Sequence, residues 1–346
     1  MHNLDTSTGR VAFAYSAEDG NTWHTLGLPI PDEIAMDPVK IAAFAGCDWN
    51  IYKAPVGYTD AAGVFHTVEN RVALVRDDTH AALGVVSDSR YNPHQTREQF
   101  ALIRDEFASA GLRMSAVGAI QGGRTVFGSA LVPGADGTFG AKDALRRYIT
   151  FACRNGDGGG SSTITDGCIR VVCQNTYQAN IATATAEGGL LRIPHTSEYT
   201  ASTLSRRLVA LGDKWRKEDS LLVQFANRQL SQAEAALYFC TALNIRPEDV
   251  HATRPDGKPA LSTKSRNMLD ALAAAYLRGP GAGLDTAAGT LWGAFNAVTY
   301  YVDHEATTRD SYGDGAGAAR VASAQFGSGA AAKSRAFDLA AQLVAA

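Results

Sequence analysis

The apolar positions of this chain change period along its length. Up to about residue 190 they alternate in short runs, as in half-buried strands; beyond it they recur at three- and four-residue steps, as in amphipathic helices. Residues 49–53 alternate, and Arg71–Arg76 and Ala82–Val86 flank Asp77-Asp78-Thr79, which predicts a sheet with at least one hairpin. Met114–Ile120 and Thr125–Val132 enclose Gln121-Gly122-Gly123-Arg124, a two-glycine turn that predicts a second hairpin. Arg146–Arg154 and Ile169–Cys173 read as further strands. Asp37-Pro38 reads as the N-cap and first turn of a short helix closed by Gly46, and Asn92-Pro93 introduces a helix with Phe100, Ile103 and Phe107 on one face. Gln174-Asn175-Thr176 is placed to cap another helix running to Glu187.

After residue 195 the pattern is helical. Leu204, Leu208, Leu211, Trp215, Leu222 and Phe225 keep heptad-like steps, and Ser231 with Glu234 forms a capping box that starts a new helix through Leu243. Prolines and Asp256-Gly257 mark residues 244–262 as a surface loop; a helix from about Ser265 to Arg278 stops at Gly279-Pro280, and a last helix begins near Ser328. The stretch Gly289–Glu305 is the most informative. Leu291, Phe295, Val298 and Val302 make an apolar seam, and Trp292, Asn296, Thr299 and Asp303 repeat the same spacing one residue on. A polar stripe beside a buried seam is either a satisfied internal network or the wall of a groove. Together these elements predict an α+β fold. An antiparallel sheet with a crossing helix occupies residues 1–190, and a helical region, residues 191–346, packs against it and shares its core.

Composition narrows the class. With 346 residues and 45% hydrophobic content the chain can bury a substantial core. No apolar run reaches the length of a membrane span, and the first residues lack the pattern of a secretory signal. A cytosolic protein is expected. Cys47, Cys153, Cys168, Cys173 and Cys240 are odd in number and form no Cys-x-x-Cys pair, which fits reduced thiols and no structural metal. No cofactor motif is complete: the Gly-rich stretch 155–162 and Gly327–Ser334 both lack the Gly-Lys-Ser/Thr end of a phosphate loop. The net charge is −3. Residues 1–69 hold Arg10, Lys40 and Lys53 against nine acids, net −6, which leaves +3 for the remainder.

Several blocks carry a family resemblance: Trp23-His24-x-Leu26-Gly27, Arg71-x-x-x-Val75-Arg76-Asp77-Asp78, Arg170-Val171-Val172-Cys173-Gln174-Asn175-Thr176, Arg192-Ile193-x-His195-Thr196, Gly289-Thr290-x-Trp292-Gly293-Ala294-x-Asn296-Ala297-Val298-Thr299-x-Tyr301-Val302-Asp303-His304, and Phe326-Gly327-Ser328-Gly329-Ala330-Ala331-x-Lys333. In these the chain resembles the phage/plasmid-like protein family, a domain of unknown function (number 932). The resemblance implies a mobile-element context, often near DNA recombination, and no established reaction.

Two functions follow as expectations. The first is single-stranded DNA binding or annealing, through Arg146, Arg147, Arg154 and Arg170 around the Gly-rich stretch and Arg206, Arg207, Lys214, Arg216 and Lys217 on the predicted long helix, by an oligomer without sequence preference. The second is an enzyme with a polar site around Asn175, His195, Asn296 and Asp303, with Gln174, Trp292 and Thr299 in the same network. Asp303 and His304 are consecutive on a helix, about 100° apart, and so do not face one point. A protein acting through host factors is the third possibility.

Overall fold

The computed structural model describes residues 4–17, 27–109, 112–132, 137–139, 143–156, 161–170, 175–177, 190–195, 215, 217–308, 320, 323–324 and 327–345. The fold is α+β, with its helices concentrated in the C-terminal half. Two short strands, β1 (Phe13–Tyr15) and β2 (Leu28–Pro29), precede helix α1 (Pro38–Phe44), whose N-cap Asp37 accepts from the amides of Val39 and Lys40. Strands β3 (Ile51–Thr59), β4 (Phe65–Arg76) and β5 (Ala82–Ser87) make an antiparallel meander of their own. Helix α2 (Thr96–Ser109) follows, with Phe100 and Ile103 fully buried as the sequence predicts.

The larger sheet begins with the hairpin β6 (Arg113–Ile120) and β7 (Thr125–Leu131). Its turn puts Gln121, Gly122 and Gly123 all at positive φ, which is why two glycines stand there. Then come β8 (Gly137–Phe139), β9 (Asp143–Arg154), β10 (Ser162–Arg170), β11 (Asn175–Tyr177) and β12 (Leu190–Ile193). The order is β11-β10-β9-β7-β6-β1-β2, with β12 on β10 and β8 on β9, and every pairing except β1 with β2 is antiparallel. Two sequence expectations need correction. The strand predicted at Ile169–Cys173 begins earlier, at Ser162, because it pairs residue by residue with β9; Ile169 and Arg170 belong to it, and residues 171–173 lie outside the described residues. Asn175 and Thr176, expected as a helix cap, pair with Arg170 and Ile169 as β11, and the helix predicted to run on to Glu187 lies outside the described residues. Strands β1, β2 and β12 were not predicted.

The helical half comprises α3 (217–227), α4 (Gln232–Ala242), α5 (Thr263–Arg278), α6 (Leu291–Tyr300) and α7 (Ser328–Ala345). The capping box at Ser231 and Glu234 is formed in both directions. Helix α6 starts at its N-cap Thr290 and passes at Tyr301–Glu305 into a single π-helical turn. Every residue from Leu291 to Thr299 is buried, so α6 is covered on all sides and not only along its seam.

One face of the β9–β10 pair carries both cores. With period two, Asp143, Leu145, Arg147, Ile149, Phe151 and Cys153 share a face of β9, and the register sets Cys168, Asp166 and Ile164 of β10 opposite Arg147, Ile149 and Phe151. Ile149, Phe151 and Ile164 belong to the cluster under α1 and α2, where Phe100 packs edge-on to Phe151. Leu145 and Cys168 belong instead to the cluster of the helical half, with Trp292, Phe295 and Phe337. Between the two, polar side chains bridge sheet and helices. Trp215 donates to Asp166 at 2.9 Å, and the guanidinium of Arg147, 1% exposed, holds Glu218 and Asp219 of α3. At the end of the strand Trp292 and Thr286 donate to the Asp143 carboxylate at 2.9 and 2.7 Å.

Arg147 supplies a direct test of this joint. Arg147→Met removes the guanidinium from the buried Glu218 and is expected to lower unfolding free energy by about 3–5 kcal/mol, whereas adding Glu218→Leu should recover most of that loss. Urea melts of the two variants measure it. At the other contact, Trp292→Phe keeps most of the ring packing but removes the indole donor, with an expected cost of about 1–3 kcal/mol.

Candidate functional site

At the opposite end of β9 from Trp292 lies a cleft of about 410 Å³, lined by Lys53, Asp88, Ser89, Arg90, Tyr91, Asn92 and His195. Its floor is the connection from β5 to α2. The chain turns at residues 88–90, and Asn92-Pro93 then delays the helix, since the residue before a proline avoids the helical region, so that residues 91–95 form a wall. Gln95 fixes that wall to β3: its side-chain amide donates to the Ile51 carbonyl and accepts from the Ile51 amide, both at 2.8 Å. Asn92 fixes it to the end of β12, its amide donating to the His195 carbonyl at 2.8 Å.

His195 is the keystone of the wall. Its Nδ1 lies 3.1 Å from the Asn92 carbonyl and its Nε2 faces the Arg154 carbonyl, so the doubly protonated ring satisfies both oxygens, and the neutral ring only one. The ring is sandwiched between Tyr91 at 4.3 Å and His94 at 4.2 Å. Below it, His94 Nδ1 meets the Ser162 hydroxyl at 2.9 Å, and the His94 carbonyl accepts from Asn155 at 3.1 Å and from the Cys153 thiol at 3.4 Å. The Tyr91 hydroxyl reaches Asn155 at 3.4 Å.

This cluster holds the residue types of a nucleophilic enzyme, but in the wrong state. Ser162 is 0% exposed, and burial pushes the Cys153 thiol up to about 11, so neither presents an accessible nucleophile. Burial likewise holds the Tyr91 phenol above its ordinary range. The site is a rigid stack of rings with a positive rim. Arg90 and Arg192 are exposed and have no acidic partner among the described residues, while Lys53 is paired with Asp88 at 3.0 Å. Arg154 has its basicity lowered, first by burial and then by the neighbouring charge of Arg192.

The predicted site residues fall into separate places. Of the nine proposed DNA-binding cations, Arg206, Arg207, Lys214 and Arg216 lie outside the described residues, as does Gln174. Arg147 is corrected: it is buried and ion-paired, unavailable to a phosphate. Arg146 and Arg154 are half-buried on the other face of β9, Arg170 pairs with Leu145 in the β10 register, and Lys217 is exposed on α3. His195 sits at the cleft, whereas the Trp292 stripe is at the far end of β9, about 36 Å away along twelve extended residues. The enzyme constellation of Asn175, His195, Asn296 and Asp303 is therefore not assembled.

The stripe itself is an internal network. Asn296 donates to the Trp292 carbonyl at 2.8 Å, Thr299 to the Asn296 carbonyl at 3.0 Å, and Asp303 accepts from the buried Lys333 at 2.7 Å. The cavity beside Asn296 is about 10 Å³, room for one water at most. Lys333 was read from sequence as part of an incomplete phosphate loop and of a family block; in the structure it pairs with Asp303. Sequence reasoning missed Lys53, Arg90, Tyr91, His94 and Asn155. The run Arg90-Tyr91-Asn92-Pro93-His94 was the available signal, an unusual density of cation, aromatic and imidazole at a strand-to-helix connection.

The family model described as "Domain of unknown function (DUF932)" matches residues 82–324, well over half of the chain, and the chain belongs to that family. No curated protein and no solved structure matches it. Among the described residues no group of His, Cys, Asp and Glu is arranged to hold a metal ion, and no helix is long and apolar enough to cross a membrane.

The buried thiol gives a chemical check on this site. In the native protein at pH 8, Cys153 should react with a maleimide at least about a hundredfold more slowly than an unstructured thiol, because only the thiolate attacks. Peptide mapping of labelled protein, native against urea-unfolded, reads this directly; fast native labelling of Cys153 would restore it as a candidate nucleophile.

Proposed function

We propose that this member of the DUF932 family is a single-stranded DNA-binding protein of phage or plasmid DNA metabolism, and that the cleft around Tyr91 and His195 is its contact with the strand. The observation that carries this reading is the pairing of a braced ring stack with the exposed Arg90 in the lining of a 410 Å³ cleft, with the exposed Arg192 three residues before His195 in the chain. That size accommodates about one nucleotide. Sequence-tolerant binding to single strands needs two things: cations that track the backbone and rings on which bases stack. The lining supports this with the cation of Arg90, Lys53 beside its partner Asp88, and the half-buried ring of Tyr91. Lys217 and the cations of residues 205–216 extend the same reading beyond the cleft.

Fluorescence anisotropy with a labelled oligothymidine tests it. Affinity should fall as salt rises, with a log–log slope of about −0.7 for each phosphate neutralised. Arg90→Ala with Arg192→Ala should flatten the slope by about 1.4, two phosphates' worth, with an unchanged melting temperature. Arg206→Ala with Arg207→Ala tests the helix cations in the same assay. A wild-type protein that does not retain the oligonucleotide even at low salt overturns the proposal.

A further inference from the structure

The turn that brings Arg90 and Tyr91 to the cleft has little in its own residues to hold it. Asp88, Ser89 and Arg90 are all exposed, and the turn closes on itself through one bond, from the Tyr91 amide to the Ser87 carbonyl at 3.2 Å. A short polar turn of this kind pays conformational entropy to keep one shape, so its shape depends on what neighbouring elements supply. Two residues of the meander supply it. The side-chain oxygen of Asn70 on β4 accepts from the Ser89 amide at 3.0 Å and from the Ser87 hydroxyl at 3.3 Å, while its carbonyl accepts from the Asp88 amide at 3.3 Å. Lys53 on β3 donates to the Asp88 carbonyl at 2.6 Å and to its carboxylate at 3.0 Å.

Asn70 is suited to this place by its backbone as well as its side chain. Between the pairs Pro55–Val72 and Gly57–Thr67 the register of β3 against β4 shifts, so that residues 68–71 of β4 stand against Val56 alone. The pairing of β4 with β5 ends at Arg71 and Ser87, one residue short of Asn70 and Asp88. At this irregularity Asn70 takes a left-handed φ of 53°, which asparagine tolerates better than most side chains. Glycine would take the same angle at no cost but would lose the side-chain acceptor.

We infer that Asn70 is a positioning residue for the cleft: it fixes the turn at residues 88–90 and so sets where Arg90 and Tyr91 stand before a ligand arrives. The inference rests on the reading of the cleft as a contact for single-stranded DNA. Asn70 is not in the cleft lining, so it acts through the turn. Gln95 and Asn92 already tie the second half of the connection to β3 and β12, and Asn70 with Lys53 ties the first. A cation carried on a backbone held in this way needs less ordering when a phosphate binds.

Asn70→Gly should leave the melting temperature unchanged and speed hydrogen exchange at the Ser89 amide about tenfold or more, read by NMR. Asn70→Asp keeps an acceptor and should keep that amide slow. In the oligothymidine assay Asn70→Gly should weaken binding about threefold to tenfold, the cost of ordering one long side chain. Arg90→Ala should then cost less in the Asn70→Gly background than in the wild type, because Asn70 works through Arg90. Unchanged Ser89 exchange in Asn70→Gly, or an Asn70→Asp amide as fast as that of Asn70→Gly, overturns the clamp whether or not DNA binds. Full affinity in Asn70→Gly, or a loss that simply adds to that of Arg90→Ala, overturns the positioning role while the DNA reading stands. A wild type that retains no oligonucleotide overturns the DNA reading and this role with it.

Discussion

The docking of the helical half onto the sheet depends on the buried carboxylate of Asp143. A charge held at 1% exposure is tolerable only if the groups around it replace the water it has lost, and an uncompensated one costs several kcal/mol. Trp292 and Thr286 make that replacement, and both come from the segment that leads into and forms α6. The bond is therefore a condition on the position of the helix. With the indole placed, its ring stacks on Phe295, which meets Phe225 and Phe337 edge-on, and the apolar packing of α3, α6 and α7 follows from that anchor.

The same strand then links stability to the site. Strand β9 presents Asp143, Leu145 and Arg147 to the helices, Ile149 and Phe151 to the core beneath α2, and Cys153 to the network under the cleft. Because Thr163 pairs with Ala152, Ser162 and Cys153 lie side by side one residue further along. The cleft wall thus rests on a strand pair fixed along its whole length by a core on one face. A ring stack built this way loses little conformational freedom when a ligand binds.

Arginine serves two separate purposes here. Arg76 and Arg147 are both almost fully buried and act as internal rivets: Arg76 joins Asp5 and Asp78 and lies 3.6 Å over the Trp49 ring, and Arg147 joins β9 to α3. Arg90, in the lining of the cleft, and Arg192 on β12 are exposed. Net charge does not separate these classes, because it counts a neutralised guanidinium and a free one alike.

The sequence by itself determined the elements. The capping box at Ser231, the Asp37 cap, the two-glycine turn at Gly122 and Gly123 and the polar stripe on α6 were legible, because each depends on neighbours within a few residues. It also determined the α+β class and the family, and it isolated His195. It missed the first residues of β10, did not read Asn175 and Thr176 as the strand β11, and counted Arg147 among solvent-facing cations. Tertiary structure decided those: a strand's bounds are set by the strand beside it, and a charge is exposed or buried according to elements seventy residues away, as Glu218 is from Arg147. The cleft itself joins Lys53, Tyr91 and His195 from three separate segments, and no local pattern encodes contacts that form only when the backbone hydrogen bonds of a sheet bring distant strands into register.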